Sequence, residues 1–199
     1  MGSEVTIASE PADELITLLS KMNSFQGHFN QNIKGSAGEK ISNTQGEVVI
    51  RRPDRFYWKS QKPDPIIVLA DGKFLWTYDI DLQQATKQSQ KTALKNSPAT
   101  LLAGATHTFK EDFTIAKAKA GSCKTGKDQC FSLKPKEKDS TFKNIYIGFT
   151  EGKLVEVRMS DPLGQNVYTV FSDVKINGKV NDTLFKFMPP KGVDVIHYD

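Results

Sequence analysis

Gly46-Glu47-Val48-Val49-Ile50-Arg51-Arg52-Pro53-Asp54-Arg55-Phe56-Tyr57-Trp58 reads as two strands meeting at a proline corner. Side chains alternate along a strand, so Val48, Ile50 and Arg52 share one face and Glu47, Val49 and Arg51 the other. Beyond the corner, Phe56 and Trp58 share a face, opposite Tyr57 and Lys59. Pro53 has no N–H for a sheet ladder and therefore marks a strand end. By parity Arg52 continues an apolar row, and a guanidinium turned inward requires hydrogen-bond acceptors there. The alternative is that the row stops at the corner and Arg52 is solvated.

Working outward, Ser9 is a suitable N-cap for a helix with Pro11 in its first turn and Asp13 and Glu14 near the positive end of its dipole. Leu15, Leu18, Leu19 and Met22 then form an apolar stripe. Residues 25–33 alternate as a half-buried strand, and the polar, glycine-bearing stretch 35–46 is expected to be a turn or hairpin tip. After a break at Lys62-Pro63-Asp64-Pro65, residues 66–70 form a central strand, and Asp71-Gly72 turns into a strand at 74–79. Both faces of that strand are fairly apolar, so parity does not orient Trp76 and Tyr78. Residues 83–90 are expected to form an exposed strand. Ser97-Pro98 opens a short helix through Ala103 that Gly104 stops. The pattern at 105–112 is ambiguous. Strands are expected at 113–119, 130–136, 144–149, 153–159, 166–176 and 184–187, with a final edge strand at 193–198. Short strands at this regular spacing indicate an antiparallel sandwich or barrel.

The 199 residues fit one domain, assigned to 4–199, with Met1-Gly2-Ser3 reading as a cloning remnant. The 38% hydrophobic and 25% charged content is that of a globule able to bury a core. A scattered net charge of +4 does not make the dense basic stripe of a nucleic-acid binder and permits only mild attraction to anionic membranes or acidic proteins. No apolar run approaches the roughly 20 residues of a membrane helix.

His28, His107 and His197 are far apart, without metal spacing, and no nucleophile elbow or glycine-rich phosphate loop occurs. A set such as His107, Asp112 and a serine is the weak enzymatic alternative. No catalytic residue, metal or cofactor is expected. Cys123 and Cys130 flank a six-residue stretch with a turn near Gly126, and a disulfide is plausible in an oxidising compartment, with two free thiols as the alternative.

Six short motifs occur in order at compatible spacing: Asn23-Ser24-Phe25 with Phe29 and Gln31; Arg52-Pro53 with Phe56 and Trp58; Asp71-Gly72-Lys73 with Leu75-Trp76 and Tyr78-Asp79; Ser97-Pro98 with Leu101-Leu102; Asp161-Pro162-Leu163-Gly164-Gln165; and Phe185-Lys186-Phe187 with Pro189-Pro190-Lys191-Gly192-Val193-Asp194. Together they resemble the LolA family, periplasmic carriers of lipoproteins bound for the outer membrane of Gram-negative bacteria. The resemblance implies a mainly β fold with some α: an incomplete antiparallel barrel, a half-barrel of about 11 strands, closed by a lid of short α-helices.

The implied function is a periplasmic chaperone that hides lipoprotein acyl chains in a hydrophobic cavity. It would receive them from an inner-membrane ATP-driven (ABC-type) extraction complex and pass them to the outer-membrane receptor. The expected lining is Leu19, Phe29, Val48, Ile50, Phe56, Trp58, Leu101 and Leu102, with Arg52 as a latch donating to main-chain carbonyls of the lid. The resemblance further places Leu19 on a lid helix near the mouth. A monomer without nucleic-acid partners is expected, with its export signal peptide removed. The anchored receptor shares the fold; no lipid-attachable cysteine near the start, and the C-terminal extension, favour the soluble carrier. A periplasmic carrier of other lipids and a lipid esterase are the remaining readings.

Overall fold

The computed structural model describes residues 10–198 except 62, 94–97 and 105, and the side chains of 98–100 are not described. In chain order the elements are α1 (Pro11–Ser20), β1 (Ser24–Lys34), β2 (Lys40–Arg51), β3 (Arg55–Ser60), β4 (Ile66–Asp71), β5 (Phe74–Asp79), β6 (Gln84–Ser89), α2 (Gln90–Ala93) and α3 (Pro98–Ala103). A 3₁₀ turn at Thr106–Thr108 leads into α4 (Phe109–Asp112), followed by β7 (Phe113–Lys117), β8 (Gln129–Pro135), β9 (Asn144–Thr150), β10 (Lys153–Ser160) and β11 (Asn166–Ile176). A second 3₁₀ turn, Asp182–Phe185, precedes β12 (Asp194–His197).

The strands form one sheet in the order β12-β6-β5-β4-β3-β2-β1-β11-β10-β9-β8-β7. Neighbours are antiparallel except β12, which joins β6 in parallel. Both ends of the order are free edges, so the sheet is a half-barrel rather than a closed one. The count is twelve among the described residues, where about eleven were expected.

Alternation explains the inner face. Ile50 stands opposite Phe56, which stands opposite Ala70, and Val48 stands opposite Trp58. Phe25 meets Phe171 edge-on at 5.3 Å, and Phe29 stacks on Trp58 at 3.7 Å. That stack needs Gly46: a Cβ there would lie 1.9 Å from the Lys59 carbonyl oxygen and 2.9 Å from the Phe29 ring. Leu15, Leu19 and Met22 of the first helical segment close over this face and are buried in the same cluster. Removing each such side chain from water contributes about 1.5–3 kcal/mol.

Several expectations need correction. The stretch 35–46 is not all turn, because β2 starts at Lys40 and pairs with β1 from there; main-chain pairing with a long neighbour outweighs the polar composition. Residues 184–187 are not a strand; the 3₁₀ turn Asp182–Phe185 takes the first two of them, capped by the Asn181 side chain accepting from the Thr183 N–H, and the next two lie in no regular element. The strand expected to be exposed at 83–90 carries a fully buried Ala85 and ends in a buried Gln90. Glu10 occupies the N-cap position of α1 without a side-chain cap bond, and Ser9 lies outside the described residues.

The outer face is covered in two places. On one half, the C-terminal segment folds back: Phe187 packs on Trp76 at 5.0 Å and on Tyr78 at 5.6 Å, with Leu69 and Phe185 buried. That orients Trp76 and Tyr78 outward. On the other half, the 118–128 loop lies across β9 and β10. Gly126 makes this approach possible, since a Cβ on it would sit 2.3 Å from the Gly148 backbone.

Candidate functional site

The corner after β2 is where sheet and lid meet. Arg52 and Pro53 are joined by a cis peptide bond. The Arg52 N–H donates to the Asn23 carbonyl at 2.9 Å, tying the corner to the end of the α1 segment. The Arg52 side chain, inward as parity requires, donates from Nη1 to the Gly104 carbonyl at 2.7 Å, just past α3. The Asp54 N–H donates to the Ala103 carbonyl at 2.8 Å. Two adjacent carbonyls at the end of α3, the orphan acceptors of a helix C-terminus, are thus satisfied by the corner.

The Arg52 side chain is only partly satisfied. Nε and Nη2 of Arg52 are buried with no hydrogen-bond partner among the described residues. Burial lowers the Arg52 pKa to about 10, against the opposing pull of the Asp54 charge. A guanidinium with two enclosed nitrogens left unbonded is costly to bury.

Gln90 completes the junction. It is 6% exposed; its Nε2 donates to the Asp54 carbonyl at 2.6 Å and its Oε1 accepts from the Gly72 N–H at 2.9 Å. One amide therefore joins α2, the corner and the β4–β5 turn. Its place at the end of a polar strand gave no sequence signal.

Leu19, Phe29, Val48, Ile50, Phe56, Leu101 and Leu102 all fall in one buried cluster, and the half-buried Trp58 packs against it. Leu19 is fully buried. Ser97, expected to cap α3, lies outside the described residues. The lid helix α1 is tied to the β7 edge by polar contacts on its outer side. Asp13 pairs with Lys110 and Glu14 with Lys117, both at 2.6 Å, and Gln129 donates to Glu14. The hydrogen bond from Lys117 holds the Glu14 carboxyl below the usual carboxylate range, against a smaller opposing effect of burial.

Cys123 and Cys130 are joined, with sulfurs 2.01 Å apart. The loop they close is held from beneath by Glu156, fully buried, whose carboxylate accepts from the N–H groups of Lys124, Thr125 and Gly126 at 3.1, 2.6 and 3.0 Å. His28 pairs with Asp173 at 3.2 Å on the exposed surface, and His107 and His197 are exposed. Among the described residues no group of three His, Cys, Asp or Glu side chains is placed to hold a metal. Among them, too, no helix is long and apolar enough to cross a membrane.

With this geometry in place, comparison is informative. Residues 20–188 match the family model described as "Outer membrane lipoprotein carrier protein LolA". An outer-membrane lipoprotein carrier protein of Pseudomonas putida is 34% identical over 197 residues, covering 98% of this chain and 93% of that one. A protein of the same name from Coxiella burnetii is 35% identical over 195 residues, covering 96% and 89%. Among solved structures, an uncharacterised conserved protein from Thermus thermophilus superposes with a TM-score of 0.59 at 11% identity, covering 94% of this chain and 99% of that one. A LolA superfamily protein from Nitrosomonas europaea superposes with a TM-score of 0.50 at 14% identity, covering 90% and 99%. At such identities the structural likeness speaks for the fold alone.

Proposed function

This chain belongs to the LolA family of outer-membrane lipoprotein carriers, and from that premise we propose how it holds and releases its load. The protein is a lipoprotein carrier. The finer reading is that acyl chains enter between the inner face of the half-barrel and the lid, against Leu19, Phe29, Val48, Ile50, Phe56, Trp58, Leu101 and Leu102. Each CH₂ withdrawn from water contributes ~0.8 kcal/mol, so a multiply acylated protein cannot cross an aqueous compartment unaided.

The observation that carries this reading is the half-engaged Arg52, bonded among the described residues through Nη1 to the Gly104 carbonyl above the apolar cluster, with Nε and Nη2 unpartnered. Loading requires the α3 segment to move away from the corner, breaking that bond and the adjacent one from the Asp54 N–H. Acyl burial favours the open form, and the hydrogen bonds of the corner favour the closed one. A ligand shifts such an equilibrium only by its differential affinity for the two forms. The opposition keeps the load exchangeable.

In this reading the protein is a periplasmic monomer on residues 4–199 that makes no bonds in its cargo. Its donor is an inner-membrane ATP-driven extraction complex and its acceptor the outer-membrane receptor. Phe56, buried beside the corner, is a second sensitive position. The test is Arg52→Leu. The variant is expected to take up a triacylated lipoprotein as the parent does but to deliver it at least about tenfold more slowly, a barrier difference near 1.4 kcal/mol. Delivery at the parental rate overturns the latch.

A further inference from the structure

The outer face of the half-barrel, opposite the apolar cluster, carries a cavity of about 590 Å³ between β1, β9, β10 and β11, roofed at one side by the disulfide-closed loop. Its size is that of a small-molecule site. Lys34, Lys124 and Arg158 line it together with Tyr146, Tyr168 and Ser160. Among the described residues the lining itself holds no carboxylate; Glu39 lies behind it, against the Gly35 main chain, where it accepts from the Ala37 N–H at 3.1 Å. Three cations in the lining of one hollow outnumber the single flanking Glu39 carboxylate and the enclosed Glu156, a local excess in a chain whose total is only +4.

The cations are also held in place. Arg158 lies between two rings, 5.8 Å from the Tyr146 centroid and 5.7 Å from that of Tyr168, and it donates to the Ser122 carbonyl. Lys124 lies 6.0 Å from the same Tyr168 ring. Its backbone is fixed by Glu156, whose carboxylate is enclosed and engaged with three loop N–H groups, so no ligand reaches it. The Cys123–Cys130 bond closes the same loop. A loop built only to cover a sheet requires none of this convergence of charge.

We propose that this cavity binds the phosphate of an anionic phospholipid headgroup, so that the outer face touches a lipid surface while the inner face serves the acyl load. Converging ammonium and guanidinium donors suit a phosphate, with tyrosine and serine hydroxyls for the attached polyol. A lipid surface rather than a free phosphoester is favoured by the neighbouring turn. Gly164 packs against Ser36 at the cavity rim, and Leu163 beside it is 85% exposed, an apolar tip next to a basic hollow. The association is weak and falls with ionic strength, as befits charges partly open to water.

The test uses the full chain and flotation with vesicles of phosphatidylglycerol or of phosphatidylcholine at low salt. The protein is expected to bind the first at least about tenfold more than the second. Lys34→Gln with Lys124→Gln, which gives up only the contact of Lys124 with the Tyr168 ring, is expected to abolish that preference, and Arg158→Gln to do the same. Lys175→Gln with Lys186→Gln, of equal net charge and outside the cavity, is expected to keep it. Leu163→Ser is expected to weaken it severalfold, and glycerol phosphate at millimolar levels to compete. Equal loss in the cavity and control pairs means diffuse attraction and overturns the site. Binding of glycerol phosphate with no vesicle preference overturns the lipid occupant. No binding in either arm overturns both.

Discussion

Arg52 and Glu156 are two buried charges treated in opposite ways. Glu156 is fully enclosed, and its carboxylate receives three main-chain N–H groups from one loop. Arg52 gives one hydrogen bond and leaves Nε and Nη2 enclosed without partners among the described residues. A satisfied buried charge fixes what it touches, because removing either side leaves orphaned polar groups. An under-satisfied one gives up little when its single bond breaks, so the segment it holds can leave. In the proposed reading, the half of the sheet under the disulfide loop is the scaffold and the corner under α3 is the part that yields.

The sharpest way to break this contrast is to remove the satisfied charge. Glu156→Ala leaves three loop N–H groups without their acceptor and is expected to cost about 3 kcal/mol or more in denaturant unfolding. A loss below ~1 kcal/mol means the loop finds other acceptors and is not rigid. Next, Cys123→Ser with Cys130→Ser is expected to cost about 2.5 kcal/mol by loop-closure entropy. The same melt series reads it, and a cost near zero would mean that Glu156 alone fixes the loop.

Arg52→Leu sharpens the other side. Replacing a poorly satisfied buried cation by an apolar side chain is expected to leave stability within about 1 kcal/mol of the parent or raise it, while delivery of cargo slows. A loss above ~3 kcal/mol would mark Arg52 as scaffold. The smallest effect belongs to the exposed ties on α1. Glu14 has a folded-state pKa below its usual value, so its contribution is present above the ordinary carboxylate range and is lost as pH falls through the lowered value. Glu14→Gln is expected to flatten that acid limb by less than about 1 kcal/mol and to speed amide exchange in α1 at neutral pH. Unchanged exchange would show that burial of Leu15 and Leu19 alone holds the helix.

Much of this was legible locally. Alternation put Val48, Ile50 and Arg52 in one row and Phe56 and Trp58 in another, but it left Arg52 either inward or solvated, and the structure turns it inward. The stripe of α1 and the strands from β7 to β11 followed from the same periods. Glu156 was not legible. It sits in an alternating strand as an ordinary polar residue, and only the loop folding back from 122–126 encloses it. Gln90 was hidden for the same reason, since its acceptor and donor come from residues 54 and 72.

What the chain order of residues determines by itself is what acts within a few positions: strand parity, helix stripes, the turn at Asp71-Gly72, and the row that Arg52 shares with Val48 and Ile50. Tertiary structure alone decided which carbonyl Arg52 meets, that β12 joins β6 in parallel, that Trp76 and Tyr78 lie under Phe187, and that three cations share one hollow. Those outcomes depend on segments far apart in sequence arriving at the same place. A side chain's neighbours across that distance are set by the closure and twist of the whole sheet, which no local period encodes.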